Sequence, residues 1–389
     1  VLTEPTSAPP ARRGARRSAG ISLAIVVLAW FLLVLEYQYR VEWLQGWDVV
    51  LDAVFLAGFG AALLARTAES RGGRAALLIS LRLGTAGFVT VLALVAAEYG
   101  MRIRYRQARS SRNVGDYIGR QAAAVPVRIN HLGFREREIP PKSDRYRIVI
   151  VGDSFTWGNG LEERERTSNV LGQALGPKYE VFNFGIPGNN MPEHLGVLER
   201  ALTVSPDYVL LQLYINDFET PDMERPRPHP LLPDTLDRRL GESSLLYDQM
   251  RDQWAHLQEV IGLSESYVHY MSRNLEDPNL PNARQAYGNL RQFFERARAA
   301  GVPAGAFLFP ATDALGPFGR GYPFGYLHDG VKRTCEEEHV RCLDLFPTFA
   351  TFANPRTLWV SPFDAHPNAM AARRAAFAVL QAFGSDWHR

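Results

Sequence analysis

The chain has 389 residues, 46% hydrophobic and 22% charged, which excludes a disordered or collagen-like polymer and exceeds one small domain. Lys and Arg total 43 against 41 Asp and Glu, a net charge of +2 that gives no ground for a nucleic-acid partner. Two cysteines exclude a disulfide scaffold and a four-thiolate zinc site.

The first hundred residues are far more apolar than the rest. Ile21 to Leu35 carries no charge, and with its flanks (18–39) it reaches the roughly 20 residues a spanning helix needs. Arg12, Arg13, Arg16 and Arg17 precede it, and Tyr37, Tyr39 and Trp43 follow, the pattern of a helix with its N-terminus inside. A cleaved signal peptide needs small residues after the apolar core, and Glu36-Tyr37-Gln38-Tyr39 supplies none. Further apolar runs occupy 49–65 and 75–97, with Arg66, Arg71 and Arg74 between them on the cytoplasmic side. The expectation is therefore a membrane region over 1–112 with about three spans, and a domain over 113–389 delivered outside. Arg102, Arg104, Arg106, Arg109 and Arg112 argue the other way, but a long trailing domain translocates largely regardless of charge. The second run is short and contains Asp52; with two spans the domain would stay in the cytoplasm. Asp52 and Arg82 each lie near their own interface and are read as snorkelling side chains.

From about Asn130 the pattern becomes short apolar strands alternating with helices. Strands are expected at Arg147–Val151, Tyr179–Phe184, Asp207–Tyr214, Gly305–Phe309 and Val340–Phe346. Helices are expected at Glu163–Leu175, Pro192–Leu202, Asn282–Ala300, Tyr326–Glu338 and Asn368–Phe383. Such alternation predicts a parallel sheet covered on both faces, with ligands beyond the C-terminal strand ends. An insertion at about 220–273 interrupts it. Leu246, Met250, Trp254, Leu257 and Ile261 recur there at helical spacing and are read as core, with a lid or substrate wall as the alternative.

Four pieces fall at strand ends. The first strand runs into Gly152-Asp153-Ser154, the second into Gly185-Ile186-Pro187-Gly188, and the third into Tyr214-Ile215-Asn216-Asp217. Near the C-terminus stands Asp364-Ala365-His366-Pro367. Proline keeps His366 out of the α conformation, and an extended Asp364–His366 pair points both side chains to one side. Asp364 can then hold one imidazole nitrogen while the other faces Ser154, the arrangement an activated serine needs. Each piece alone reads equally as turn or cap chemistry.

Together these residues resemble the SGNH, or GDSL-type, hydrolase superfamily, which includes esterases and acyltransferases. The resemblance implies a flavodoxin-like three-layer αβα fold and metal-free catalysis. It also implies a Ser154, His366 and Asp364 triad with an oxyanion hole from Ser154, Gly188 and Asn216. NHLGFR (Asn130 to Arg135) is similar to membrane-anchored members. Two departures stand out. Tyr214 replaces the glycine usual in the family's block III motif (G-x-N-D, whose asparagine Asn216 matches), and one residue separates Asp364 from His366 where two are common. The shorter spacing is also similar to alginate-type O-acetyltransferases.

The expected activity is a membrane-anchored serine esterase acting on O-acyl, foremost O-acetyl, esters. An O-acetyltransferase of an extracytoplasmic polysaccharide, served by an acyl-donor membrane partner, is the alternative. A non-catalytic glycan-binding module and a flavodoxin-type phosphate binder leave the Asp364-His366 pair without a role. No cofactor or metal is expected, since His328 and His339 lack partners at ligand spacing. Cys335 and Cys342 lie about 10.5 Å apart within a continuous helix, beyond disulfide reach, and within reach if the helix ends near His339.

Overall fold

The computed structural model describes residues 128–361 and 364–387, together with residues 82, 86, 87, 89, 90 and 93–101. The chain divides into two compact units. One comprises Val1–Arg104 with Pro230–Trp254; the other comprises Tyr105–His229 with Ala255–Arg389. The expected spans 18–39 and 49–65 lie outside the described residues, as does Asp52, and 75–97 is described only in part, where it is helical. No helix among the described residues is long and apolar enough to cross a membrane.

The second unit is built on a sheet of β1 (Tyr146–Gly152), β2 (Tyr179–Gly185), β3 (Tyr208–Leu213), β4 (Ala304–Leu308) and β5 (Arg341–Asp344). Every pairing is parallel and the order is β2-β1-β3-β4-β5. This is the doubly wound, flavodoxin-like order, whose connections change direction between β1 and β3 and leave a crevice at their C-terminal ends. Side chains alternate between the two faces of each strand. Val149, Val151, Val209 and Leu211 pack with residues of α3 (Met191–Leu202), α7 (Pro281–Ala299) and α8 (Gly325–Glu337). Ile148, Ile150 and Leu210 pack on the other face with Leu171 of α2 (Thr167–Leu175) and with Ala371, Ala375, Val379 and Phe383 of α9 (Ala369–Phe383). The three layers follow from strands apolar on both sides. A short helix, α1 (Ser154–Trp157), follows β1 directly.

Between β3 and α7 lie α4 (Asp234–Ser243), α5 (Leu245–Val260) and α6 (Tyr267–Leu275). Within the first unit the carboxylate of Glu98 caps α5, accepting from Leu245 N at 3.1 Å and from Leu246 N and Ser244 Oγ at 2.8 Å. An anion at a helix N-terminus is favourable because it satisfies orphan N–H groups. The stripe is helical through Val260, with Ile261 just past the helix end, but Met250, Leu257 and Ile261 are exposed, contrary to the core reading. Periodicity reports a helix, whereas burial depends on what else the chain lays against it.

After β5 the chain forms a two-stranded antiparallel ribbon of β6 (Trp359–Ser361) and β7 (Asp364–Pro367). The last helix, expected from Asn368, starts one residue later at Ala369, and Pro367 ends β7. Asn368 is the cap, its Oδ1 accepting from Ala371 N at 3.0 Å. Proline's fixed φ suits a strand end or a helix start, and the asparagine side chain decides the boundary.

Cys335 and Cys342 are disulfide-bonded, with Cα atoms 6.1 Å apart. The bond is possible because α8 stops at Glu337 and His339, at φ 54°, turns the chain back into β5.

Candidate active site

The site stands at the C-terminal ends of β1, β2 and β3. Asp153, not Ser154, caps α1: its Oδ1 accepts from Phe155 N at 2.9 Å. The Ser154 hydroxyl is thereby released from the capping role it could have taken. Two polar side chains hold α1 against the sheet. Gln212 of β3 accepts from Thr156 Oγ1 at 2.7 Å, and Asn183 of β2 donates to Thr156 O at 2.5 Å and to Ser168 Oγ at 2.9 Å. Gly185 is needed for this approach, since a β-carbon there would stand 2.2 Å from Trp157 N.

Ser154 is 4% exposed, buried rather than standing open at the strand end. Its Oγ lies 2.9 Å from His366 Nε2 and 3.4 Å from Asp153 Oδ2. His366 Nδ1 lies 2.5 Å from Asp364 Oδ1, which also accepts from His366 N at 3.0 Å. Both residues belong to β7, where positions i and i+2 share a face, so a single intervening residue suffices. With Nδ1–H donated to Asp364, the Nε2 lone pair is left for the Ser154 hydroxyl.

Gly188 and Asn216 occupy the turns after β2 and β3, at the same sheet edge. Gly188 has φ 80° with open space where a β-carbon would be, so backbone conformation and not crowding demands glycine there. Asn216 lies in the 3-10 turn Ile215–Phe218. Tyr214, in place of the block III glycine, stacks its ring on Phe155 at 4.1 Å between centroids, and Phe155 in turn lies 5.2 Å from the His366 ring. The tyrosine therefore forms part of an aromatic wall behind the imidazole.

A buried histidine–aspartate pair escaped the sequence reading. His194 Nε2 lies 2.9 Å from Asp217 Oδ1, both fully buried, and Asp217 Oδ2 accepts from Tyr214 N at 2.6 Å. Burial alone would lower the imidazole pKa; the charge and hydrogen bond of Asp217, then the charge of Asp153, raise it above its ordinary value. Asp153 is pushed up to about 7, first by burial and then by the Asp217 carboxylate. The visible signal was the Asp217 beside Asn216; His194 sits on α3 and looks like any polar helical residue. Among the described residues no group of three or more His, Cys, Asp or Glu is placed to hold a metal ion.

The GDSL-like Lipase/Acylhydrolase family matches residues 150–374, from β1 into α9. The chain belongs to this family. As a GDSL-type acylhydrolase it is an enzyme of ester hydrolysis, and its five-stranded parallel sheet with flanking helices is the SGNH hydrolase fold. Among solved structures the GDSL domain is similar to TesA, at 16% identity and a TM-score of 0.39, covering 61% of this chain and 98% of that one. It is also similar to the acetyl xylan esterase AlAXEase, at 15% identity and a TM-score of 0.38, covering 61% and 98%. The esterase EstA from Pseudoalteromonas sp. gives 15% identity and a TM-score of 0.38, covering 62% and 97%. No curated protein sequence matches the chain.

Proposed function

We propose that this acylhydrolase is a membrane-anchored serine esterase that removes O-acetyl groups from an extracytoplasmic glycan through an acyl-enzyme. The line Asp364–His366–Ser154, with contacts of 2.5 and 2.9 Å, carries the reading. His366 Nε2 takes the Ser154 proton as Oγ forms its bond to the ester carbonyl carbon. The oxyanion is held by the N–H groups of Ser154 and Gly188 and by the Asn216 amide, donors worth about 10²–10³ in rate apiece. His366 returns the proton to the departing alcohol oxygen, and the acyl-enzyme then passes to water.

Two features support the compartment. The apolar runs with their arginine flanks have the pattern of N-in spans. The Cys335–Cys342 disulfide suits an oxidising environment and would not persist among cytosolic reductants. An external tethered esterase meets envelope polymers first. The short Asp364-Ala365-His366 spacing favours a second reading, transfer of acetyl to a glycan hydroxyl from a membrane donor partner.

Deleting the gene and measuring ester-linked acetate in envelope glycans separates the two. Esterase action predicts more acetate after deletion, and transfer predicts less. Unchanged glycans, with purified protein preferring long-chain over acetyl aryl esters, would overturn the substrate assignment.

A further inference from the structure

The segment NHLGFR precedes the sheet and has no part in the triad, yet one of its side chains, Arg135, reaches the loop that follows α1. Asn130 folds the segment on itself. Its Oδ1 accepts from Leu132 N at 3.1 Å and Phe134 N at 3.0 Å, and its Nδ2 donates to Arg137 O at 3.3 Å. Phe134 is fully buried and stacks on Phe184 of β2 at 3.9 Å. Arg135, 6% exposed, then reaches the loop that follows α1. Its Nη1 donates to Gly158 O at 2.9 Å and Trp157 O at 3.3 Å, and its Nη2 to Leu161 O at 2.8 Å. Buried Arg166 in turn donates to Arg135 O and, from Nε, to Asn169 Oδ1 at 2.9 Å. Arg135 thus holds the short loop by three of its carbonyls, and Arg166 holds the Arg135 backbone.

The loop carries Asn159. This side chain is 4% exposed, and its Nδ2 lies 3.2 Å from His366 Nε2, the nitrogen that faces Ser154. Its Oδ1 is buried without a hydrogen-bond partner among the described residues. A buried acceptor left unpaired is costly, so it is expected to find a donor at some stage of the cycle. Half a turn of the amide exchanges its two ends and brings Oδ1 to Nε2. In the resting site the Nε2 lone pair already has the Ser154 hydroxyl, so an amide N–H there is redundant. Once the proton has moved, Nε2–H is a donor and Ser154 Oγ is engaged with the acyl carbon. An acceptor at Asn159 then counts for most.

Resting on the serine-esterase reading above, we propose that Asn159 is a further catalytic residue, whose amide oxygen holds the protonated His366 ring. Arg135 is a positioning residue that keeps the Asn159 loop in place. The charged groups facing His366 are Asp364 on its own strand, Asp153 at the end of β1 and Asp313 after β4. Each favours the protonated ring to the extent that it is ionised, burial raising the pKa of Asp153 and Asp313, and all three remain when Asn159 is replaced. A change in the titration of His366 on substitution at position 159 therefore reports the amide.

The test uses the full-length chain, 4-nitrophenyl acetate and pH profiles of kcat/KM. Asn159→Ala lowers kcat roughly tenfold to a hundredfold, the worth of one hydrogen bond to a charged group, with KM little changed. Its acid limb moves to lower pH, because the protonated ring has lost a partner. Arg135→Lys moves the limb in the same direction by less. If Asn159→Ala fails to fold, Asn159→Leu, close to it in size, takes its place with the same expected loss and shift. A wild-type pH profile, or a limb displaced upward, in a folded variant overturns the proposal. Ser154→Ala run in parallel separates the failures. If that variant stays active, the triad reading has failed; if it is inactive while position 159 is silent, only this inference has.

Discussion

His366 Nε2 stands 2.9 Å from Ser154 Oγ although 212 positions separate the two residues in the chain. Ser154→Ala and His366→Ala are each expected to lower kcat by at least about 10⁴-fold, since each removes a member of one proton-transfer unit. Asp364→Asn should cost no more, because it orients the imidazole and takes no proton. Melting temperatures should stay close to wild type, as none of these side chains supports the core. A Ser154→Ala enzyme with wild-type turnover would remove the nucleophile from the mechanism.

The Asp153 carboxyl gives a signature in stability. Its pKa rises from 3.8 to about 7 on folding, so between those values the folded state keeps a proton that the unfolded chain has lost. The unfolded state then binds fewer protons, and stability contributed by this group falls as pH rises from about 4 to 7. Asp153→Asn cannot ionise and escapes this loss. Thermal melts at several pH values should show the variant gaining on wild type from pH 4 to 7, then holding a constant difference. A pH-independent difference would show that Asp153 does not titrate in this range.

The disulfide can be tested by reduction. Closing the Cys335–Cys342 loop is worth about 2.5 kcal/mol in the chain-entropy account. Dithiothreitol should lower the melting temperature of wild type and leave a Cys335→Ser/Cys342→Ser double variant unmoved. Equal responses of the two proteins would mean that the cysteines are unpaired in solution.

Topology is open to direct measurement. Reporter fusions at Gly73 and after Arg112 should report opposite compartments, cytoplasmic for the first and external for the second. Agreement between them would leave the domain on the cytoplasmic side and move the substrate with it.

The sheet and its helices were legible because β1, β3 and β4 are nearly continuous apolar runs and the longer helices are amphipathic over several turns. Ser154, Asp364 and His366 were legible for a different reason: Ser154 follows a strand closely, and Asp364 and His366 alternate just ahead of Pro367, which restricts the backbone before it. Asn159 and His194 were not. Asn159 matters through a loop shaped by Arg135, and His194 through a contact with Asp217 across two elements. Neither relationship leaves a local pattern. The exposed face of α5 shows the same limit from the other side, since Met250 and Leu257 have the spacing of a core without the cover.

The order of the site's parts along the chain has a consequence for biogenesis. Ser154 leaves the ribosome early, with β1, whereas His366 and Asp364 follow all five strands of the parallel sheet. The ribbon that carries them is followed by α9 and the 3-10 turn Gly384–Trp387, which is pinned when Tyr179 at the start of β2 donates to Trp387 O at 2.9 Å. A nascent chain therefore exposes a serine with no base to activate it. On the proposed mechanism, reactivity toward esters arises only once β7 has formed and set His366 beside Ser154.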